Sequence, residues 1–274
     1  MLGAMVGDIV GSIYEWNNIK TKSFPLFAKG CCFTDDTVMT MAVAEALMQG
    51  GAPEDYIEAM KRLGRQYPRA GYGGRFRQWI QSEESEPYNS WGNGSAMRVS
   101  PCGWNIPLHL TREEGVKVAE RLAENSAVVT HNHPEGVKGA QAVAVSILYM
   151  RHGKSDNSIE EYKEYLRRDI AAWYGYDMGR TLDEIRPTYS FDVSCQGSVP
   201  EAIIAFLESN SFENAIRNAI SIGGDSDTIA AITGSIAEAA YSIPDDVATK
   251  AMEHLDDNLR EIYQKWRLFV LSPS

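Results

Sequence analysis

Two short acidic runs, far apart in the chain, have the composition of cation sites. Phe33-Thr34-Asp35-Asp36-Thr37 sets two adjacent carboxylates between threonines, directly before a run of small and apolar residues. Gly223-Gly224-Asp225-Ser226-Asp227-Thr228 repeats the theme before a segment from Ile229 to Ala240 that is small and apolar nearly all round. Such a segment reads as a buried helix, so its acidic first turn should be buried too. A carboxylate at an exposed helix N-terminus gains only about 0.3–1 kcal/mol from the dipole. Burying it unpaired costs several kcal/mol or forces it to take up a proton. With Glu15, the residues Asp35, Asp36, Asp225 and Asp227 would supply five negative charges, and Thr34 and Thr228 neutral oxygens. Two divalent cations would offset four of those charges. Oxygen ligands without His or Cys select hard metals: Mg²⁺ first, with Mn²⁺ or Ca²⁺ as alternatives. A bridged pair roughly 3.5–4 Å apart is the usual two-metal geometry. Taken singly, each run is equally consistent with an acidic first turn that only complements the helix dipole.

The elements that must position these groups read as helices. Gly3, Gly7 and Gly11 recur every fourth residue, which gives one helical face without side chains, and Glu15 continues the stripe. Apolar residues at helical spacing predict helices over 35–49, 53–66, 112–129, 135–151, 159–174, 198–208, 212–222, 227–241 and 245–267. Thr111/Glu114 and Ser158/Glu161 have the spacing of capping boxes. Pro53, Pro134, Pro200 and Pro244 stand near helix starts, where a missing N–H costs little. Strand signal is confined to the alternation Thr188–Ser194, for which no pairing partner is evident. With no linker-like break or repeat, residues 1–274 are expected to form one all-α domain.

A net charge of -11 argues against general nucleic-acid binding. Cys31, Cys32, Cys102 and Cys195 have no zinc-like spacing and suggest a reducing compartment. The first residues, MLGAMVGDIVGSIYEW, lack a basic leader and contain Asp8, and no apolar stretch is long enough to span a bilayer. The expectation is a cytoplasmic protein without a membrane partner.

Four blocks in order, Gly7-Asp8-Ile-Val-Gly11-Ser12-Ile-Tyr-Glu15, Phe33–Thr37, Gly92-Asn-Gly-Ser-Ala-Met-Arg98 and Gly224-Asp-Ser-Asp-Thr-Ile-Ala230, give the chain its family likeness. Together they resemble the ADP-ribosylglycohydrolase family, which includes the dinitrogenase-reductase-activating glycohydrolases and ADP-ribosyl-acceptor hydrolases. The likeness runs from residue 1 to about residue 245. It implies a compact orthogonal all-α fold with a binuclear Mg²⁺ (or Mn²⁺) cleft. It maps metal ligands onto Thr34, Asp35, Asp36, Asp225, Asp227 and Thr228. Glu15 takes the place of a carboxylate that touches the metals and helps admit substrate. The implied reaction is hydrolysis of the bond between C1″ of ADP-ribose and its acceptor, on an ADP-ribosylated protein or a small-molecule conjugate, with ADP-ribose as product. Glu15 or Asp36 is then expected to orient or deprotonate the water.

In that context Gly92, Asn93, Gly94 and Ser95 are expected to contact the diphosphate or ribose, and His131 the substrate. Arg98 is read as a phosphate contact or a structural salt bridge, and His133 as a turn or cap residue beside Pro134. The segment between Glu15 and Phe33 has the length of a lid, with surface packing through Phe24 and Phe27 as the alternative. Tyr72, Phe76, Trp79, Tyr88 and Trp91 could offer adenine a stacking surface or simply fill the core. Two other functions fit parts of the pattern. One is a catalytically silent ADP-ribose-binding or crystallin-like relative, which should have lost some of the acidic set. The other is a two-metal hydrolase of a different nucleotide derivative.

Overall fold

The computed structural model describes residues 1–271; the last three residues of the expected 1–274 domain lie outside the described part. Among the described residues there are fifteen helices and no strand. In chain order they are α1 (Leu2–Gly11), α2 (Asp35–Gln49), α3 (Pro53–Gln66), α4 (Gly74–Gln81), α5 (Gly94–Met97), α6 (Ser100–Trp104), α7 (Arg112–Val128) and α8 (Pro134–Ser155). They continue with α9 (Ile159–Tyr174), α10 (Leu182–Ile185), α11 (Cys195–Leu207), α12 (Phe212–Ile222), α13 (Ser226–Ala240), α14 (Asp245–His254) and α15 (Asp257–Leu271).

Helix α13 lies at the centre, packed by α1, α8, α11 and α12. Its composition explains this: every residue except Glu238 is buried, and most are Ala, Ile, Gly, Ser or Thr, small enough for neighbours to approach from all sides. The closest neighbour is α1. A Cβ at Gly3 would overlap the Gly234 carbonyl oxygen, and one at Gly7 the Ala230 carbonyl oxygen. One at Gly11 would come within 2.5 Å of Asp227 Cα. The glycine stripe is therefore a backbone-to-backbone contact that ends at the second acidic run. Helix α1 stops at Gly11, and Glu15 lies beyond it after a turn closed by Tyr14 N–H donating to Gly11 O at 2.8 Å.

Local start signals act largely as their chemistry suggests. Thr111 and Glu114 form the expected capping box, and Thr181 with Glu184 forms another at α10. Ser158 is an N-cap without a side-chain bond, so that box is not made. Pro200 sits inside α11, because Ser194 starts that helix three residues earlier than apolar spacing indicates, its hydroxyl accepting from Gly197 N–H at 3.0 Å. The predicted helix 245–267 is two helices: Asp256 Oδ1 accepts from Leu259 N–H at 2.9 Å and starts α15 afresh. Thr188–Ser194 forms no strand. It meets the Gly92 loop in one antiparallel bridge, with Asn93 N–H donating to Val193 O at 2.8 Å and Cys195 N–H to Trp91 O at 3.0 Å. That bridge ties the small-residue loop to the segment before α11.

The α1–α13 contact gives a direct test. Gly7→Ala should lower unfolding free energy by about 1–3 kcal/mol through overpacking, read by urea denaturation. Gly73→Ala, with nothing within 4 Å of its added Cβ, should change it by less than about 0.5 kcal/mol. Equal effects would argue against the close contact.

Candidate metal centre

The first acidic run is shaped by a residue outside it. Asp8, fully buried on α1, accepts from Thr34 N–H at 2.9 Å, Thr34 Oγ1 at 2.7 Å, Thr37 N–H at 3.1 Å and Thr37 Oγ1 at 2.5 Å. Four donors on one carboxylate are characteristic of a charge-satisfying hydrogen-bond anchor. They fix the start of α2, where Thr34 caps Asp36 N–H at 3.3 Å, and leave Asp35 and Asp36 free to project. Asp36 is buried; its Oδ1 accepts weakly from Thr228 Oγ1 at 3.4 Å, and its Oδ2 has no hydrogen-bond partner.

The second run is turned into place by Gly223 and Gly224, both at φ +75°, a conformation that side chains disfavour. Asn18 clasps Gly224 from both sides, donating to its carbonyl at 2.9 Å and accepting from its N–H at 2.8 Å. Asp225, Asp227 and Thr228 are then buried at the start of α13, and Asn93 Nδ2 donates to Asp225 Oδ2 at 2.7 Å.

The two runs meet. Carboxylate oxygens of Asp8, Asp36 and Asp227 lie within 4.8 Å of one another, and so do those of Glu15, Asp225 and Asp227. Asp227 belongs to both groups. Burial first, then Asp227 and the other neighbouring carboxylates, holds Asp35 and Asp36 well above the usual carboxylate range. Burial followed by Asp225 and Asp8 does the same to Asp227. Asp225 is pushed up to about 6 and half-buried Glu15 to about 7, in both cases chiefly by burial. Neutralisation must come from protons or from a bound cation. The donor set is all oxygen, and Asp36 Oδ2 is an orphaned buried acceptor, so the residues fit hard divalent ions. Three of the four bonds fall on Asp8 Oδ2, while Asp36 Oδ2 is the buried oxygen of the first group left without a partner.

Glu15, Thr34, Asp35, Asp36, Asp225, Asp227 and Thr228 all line one cavity of about 460 Å³. Gly92, Asn93, Gly94 and His131 line it as well. Ser95 does not: it is fully buried, with Oγ donating to Gly136 O at 2.6 Å. His131 is held neutral, far below its ordinary range, by burial and then by Arg98. Its Nδ1 lies 2.8 Å from Thr130 Oγ1, which accepts from Arg98 at 2.9 Å. This arrangement favours the Thr130 hydroxyl donating to Nδ1, leaving the ring proton on Nε2, the atom that faces Gly94. Arg98 borders the cavity but forms no salt bridge among the described residues. It donates to Ser126 O and Thr130 Oγ1, lies over the Phe76 ring, and is only 1% exposed. His133 caps α8, accepting from Glu135 N–H at 3.1 Å.

Of the segment 16–32, only Trp16 lines the cavity. The rest is tied down: Lys20 Nζ donates to Tyr189 O at 2.7 Å, and Arg217 donates to Phe24 O at 2.7 Å. Tyr72, Phe76 and Trp79 are core residues, although Phe76 also touches the cavity; Tyr88 lines it beneath Arg75. Sequence reasoning missed Asp8 as a functional residue. The available signal was a lone carboxylate within an otherwise small and apolar helix.

Comparison with known proteins follows the same lines. The ADP-ribosylglycohydrolase family model matches residues 1–271. ADP-ribosylhydrolase ARH3 of Bos taurus is 28% identical over 314 aligned residues, spanning 89% of this chain and 84% of that protein. ADP-ribosylarginine hydrolase Tri1 of Pseudomonas putida is 24% identical, spanning 89% of this chain and 70% of its own length. A solved structure described as an ADP-ribosylglycohydrolase-related protein complex superimposes with a TM-score of 0.66 at 22% identity, covering 97% of this chain and 94% of that one. It shares the fold.

Two outcomes follow from the electrostatics. The folded carboxyls keep protons that the unfolded chain, with aspartates near 3.8, releases earlier. Their stabilising contribution is complete below that value and is lost as pH rises through the folded pKa values, of which Glu15 sits at about 7. In chelator, melting temperature should therefore fall as pH rises from about 4 to 7; a rising profile would contradict this arrangement. Asp8→Asn should destabilise the chain by at least about 1–3 kcal/mol in urea, because an amide turns its NH₂ toward donors.

Proposed function

The chain belongs to the ADP-ribosylglycohydrolase family, and we propose that it is a metal-dependent ADP-ribosyl hydrolase. It would add water across the bond between C1″ of ADP-ribose and an acceptor, on a protein or a small-molecule conjugate, and release ADP-ribose. The observation that supports this reading best is the pair of acidic groups sharing Asp227, with the orphaned Asp36 Oδ2 inside the same cavity as the Gly92–Gly94 loop. A silent relative would have no use for that unneutralised set. Residues 1–274 are taken as one domain, consistent with a continuous apolar core. The four free thiols favour a cytoplasmic setting. No helix among the described residues is long and apolar enough to cross a membrane.

Thr34, Asp35, Asp36, Asp225, Asp227 and Thr228 would hold two Mg²⁺, with Mn²⁺ as the alternative. Bound there, the ions supply positive charge that draws ribose hydroxyls into register and offsets the acids. The chain does the rest. Gly92–Gly94 and His131 Nε2–H face the diphosphate or proximal ribose. Asp36 and Glu15 orient the water and take its proton as the C1″–O bond forms, and the acceptor leaves with a proton from the same acidic cluster. Glu15, half-buried where Asp36 is closed in, is the better placed to exchange protons with solvent. The neighbouring carboxylates stabilise the oxocarbenium character that develops at C1″.

Chromatographic detection of ADP-ribose released from defined ADP-ribosylated peptides tests this. Release should be abolished by EDTA and restored by Mg²⁺. Asp36→Asn should lower kcat/KM by about 100-fold or more. Undiminished activity after rigorous metal removal, or no release from any conjugate, would refute the reading.

A further inference from the structure

At the mouth of the cleft two large aromatic side chains lie open to solvent. Trp16 is 76% exposed and Phe191 43%, yet their rings stack with centroids 5.2 Å apart and planes 24° from parallel. Both line the cavity beside Glu15. Exposed aromatics in a mobile loop would mean little, but both rings stand on pinned backbone. Asn18 Nδ2 donates to Tyr14 O at 2.7 Å and Glu15 O at 2.9 Å, fixing the chain on either side of Trp16. Ser198 Oγ donates to Asp192 O at 2.9 Å, and Tyr189 OH to Gly197 O at 2.8 Å, fixing the chain around Phe191. A preordered apolar surface at a cleft mouth, kept wet at a cost in hydrophobic free energy, has the character of a ligand contact.

Its position says which part of a ligand. If bond cleavage occurs at the acidic corner, ADP-ribose extends along Gly92–Gly94 and His131, and the acceptor must leave past Glu15 and Trp16. Charge separates these two directions. The cavity's arginines are placed by other rings, Arg75 over Tyr88 and Arg98 over Phe76, whereas Trp16 hydrogen-bonds the Glu15 carboxylate. A flat, delocalised cation meets both conditions, since it stacks on an indole and is drawn to a carboxylate. A serine hydroxyl offers neither a flat face nor charge.

We propose that Trp16 and Phe191 form the acceptor wall of the cleft and select a guanidinium-linked ADP-ribose over a hydroxyl-linked one. This rests on the hydrolase reading above and adds to it the residues that set acceptor preference. The wall binds the leaving group; it takes no part in bond cleavage.

The test compares peptides bearing ADP-ribose on arginine and on serine, using wild type, Trp16→Ala, Trp16→Phe and Phe191→Ala, alongside calorimetry of free ADP-ribose. Wild type should have the lower KM for the arginine conjugate. Trp16→Ala should raise that KM about tenfold, Trp16→Phe should recover much of the loss, and the serine conjugate's KM and ADP-ribose affinity should stay constant. Should Trp16→Ala fail to fold, Phe191→Ala reads the same quantity. Equal losses on both conjugates, an unchanged arginine KM, a wild-type preference for serine, or weakened ADP-ribose binding would each overturn the wall while leaving the hydrolase reading intact. Release from neither conjugate by wild type, with ADP-ribose still bound, would overturn both.

Discussion

The backbone contact between α1 and α13 is the constraint on which the rest depends. Without side chains at Gly3, Gly7 and Gly11, the two helices approach until carbonyl groups take the space that Cβ atoms would fill. Two consequences follow along one line. Asp8 is carried into the interior, where the start of α2 can wrap around it, and the turn after Gly11 sets Glu15 beside Asp225 and Asp227. A wider spacing would separate the acidic groups by the diameter of a side chain. Dispersion along a close helix pair then supports an arrangement that electrostatics alone would push apart.

That opposition is the physical core of the site. Five carboxyls in and around the cleft disfavour one another's ionisation, and burial followed by neighbouring carboxylates dominates at Asp35, Asp36 and Asp227. Elsewhere the chain handles buried charge conventionally: Arg180 pairs with Glu201 at 2.7 Å, and Lys163 donates to Ser209 O at 2.6 Å. The contrast is local, confined to the corner where α1, α2 and α13 meet. Asp8 marks the boundary between the two regimes. It is as buried as its neighbours, but its four donors make it part of the scaffold, while Asp36, two residues from Thr34, keeps an oxygen without a partner.

Sequence patterning captured these elements unevenly, for physical reasons. Helices 35–49, 53–66, 159–174 and 212–222 have the expected limits because apolar periodicity and a clear cap or breaker coincide at their ends. The short helices α4, α5, α6 and α10 span too few turns for periodicity to register. The break at Asp256 is a cap that interrupts an unbroken apolar rhythm. At the site, the acids and threonines were legible because their types limit their chemistry. A small-residue loop does not reveal which way a hydroxyl turns; that of Ser95 turns to the Gly136 carbonyl. Arg98 makes no salt bridge among the described residues: its guanidinium donates to a carbonyl and a hydroxyl and lies over a ring face, while its buried Nε keeps no partner. Trp16 could not be placed at all from spacing, because its position depends on Asn18 reaching across to Gly224.

Asn18 also bears on how a ligand reaches the acids. One amide binds the carbonyls of Tyr14 and Glu15 and both backbone groups of Gly224, joining the turn after α1 to the second acidic run through a single side chain. Lys20 adds a second tie, donating to the carbonyls of Tyr189 and Ile222. A lid hinged at residues 16–32 would have to break these bonds together with the Arg217 contacts to Lys22 O and Phe24 O. At roughly 0.5–1.5 kcal/mol net for each ordinary hydrogen bond and more for the charged donors, concerted opening of the segment is expensive. Entry leaves the segment in place: the cavity opens at a rim where Glu15 is half-buried and Trp16, largely exposed, stacks on Phe191 and hydrogen-bonds Glu15. The frame stays fixed, which keeps the acidic corner organised while substrate and product exchange.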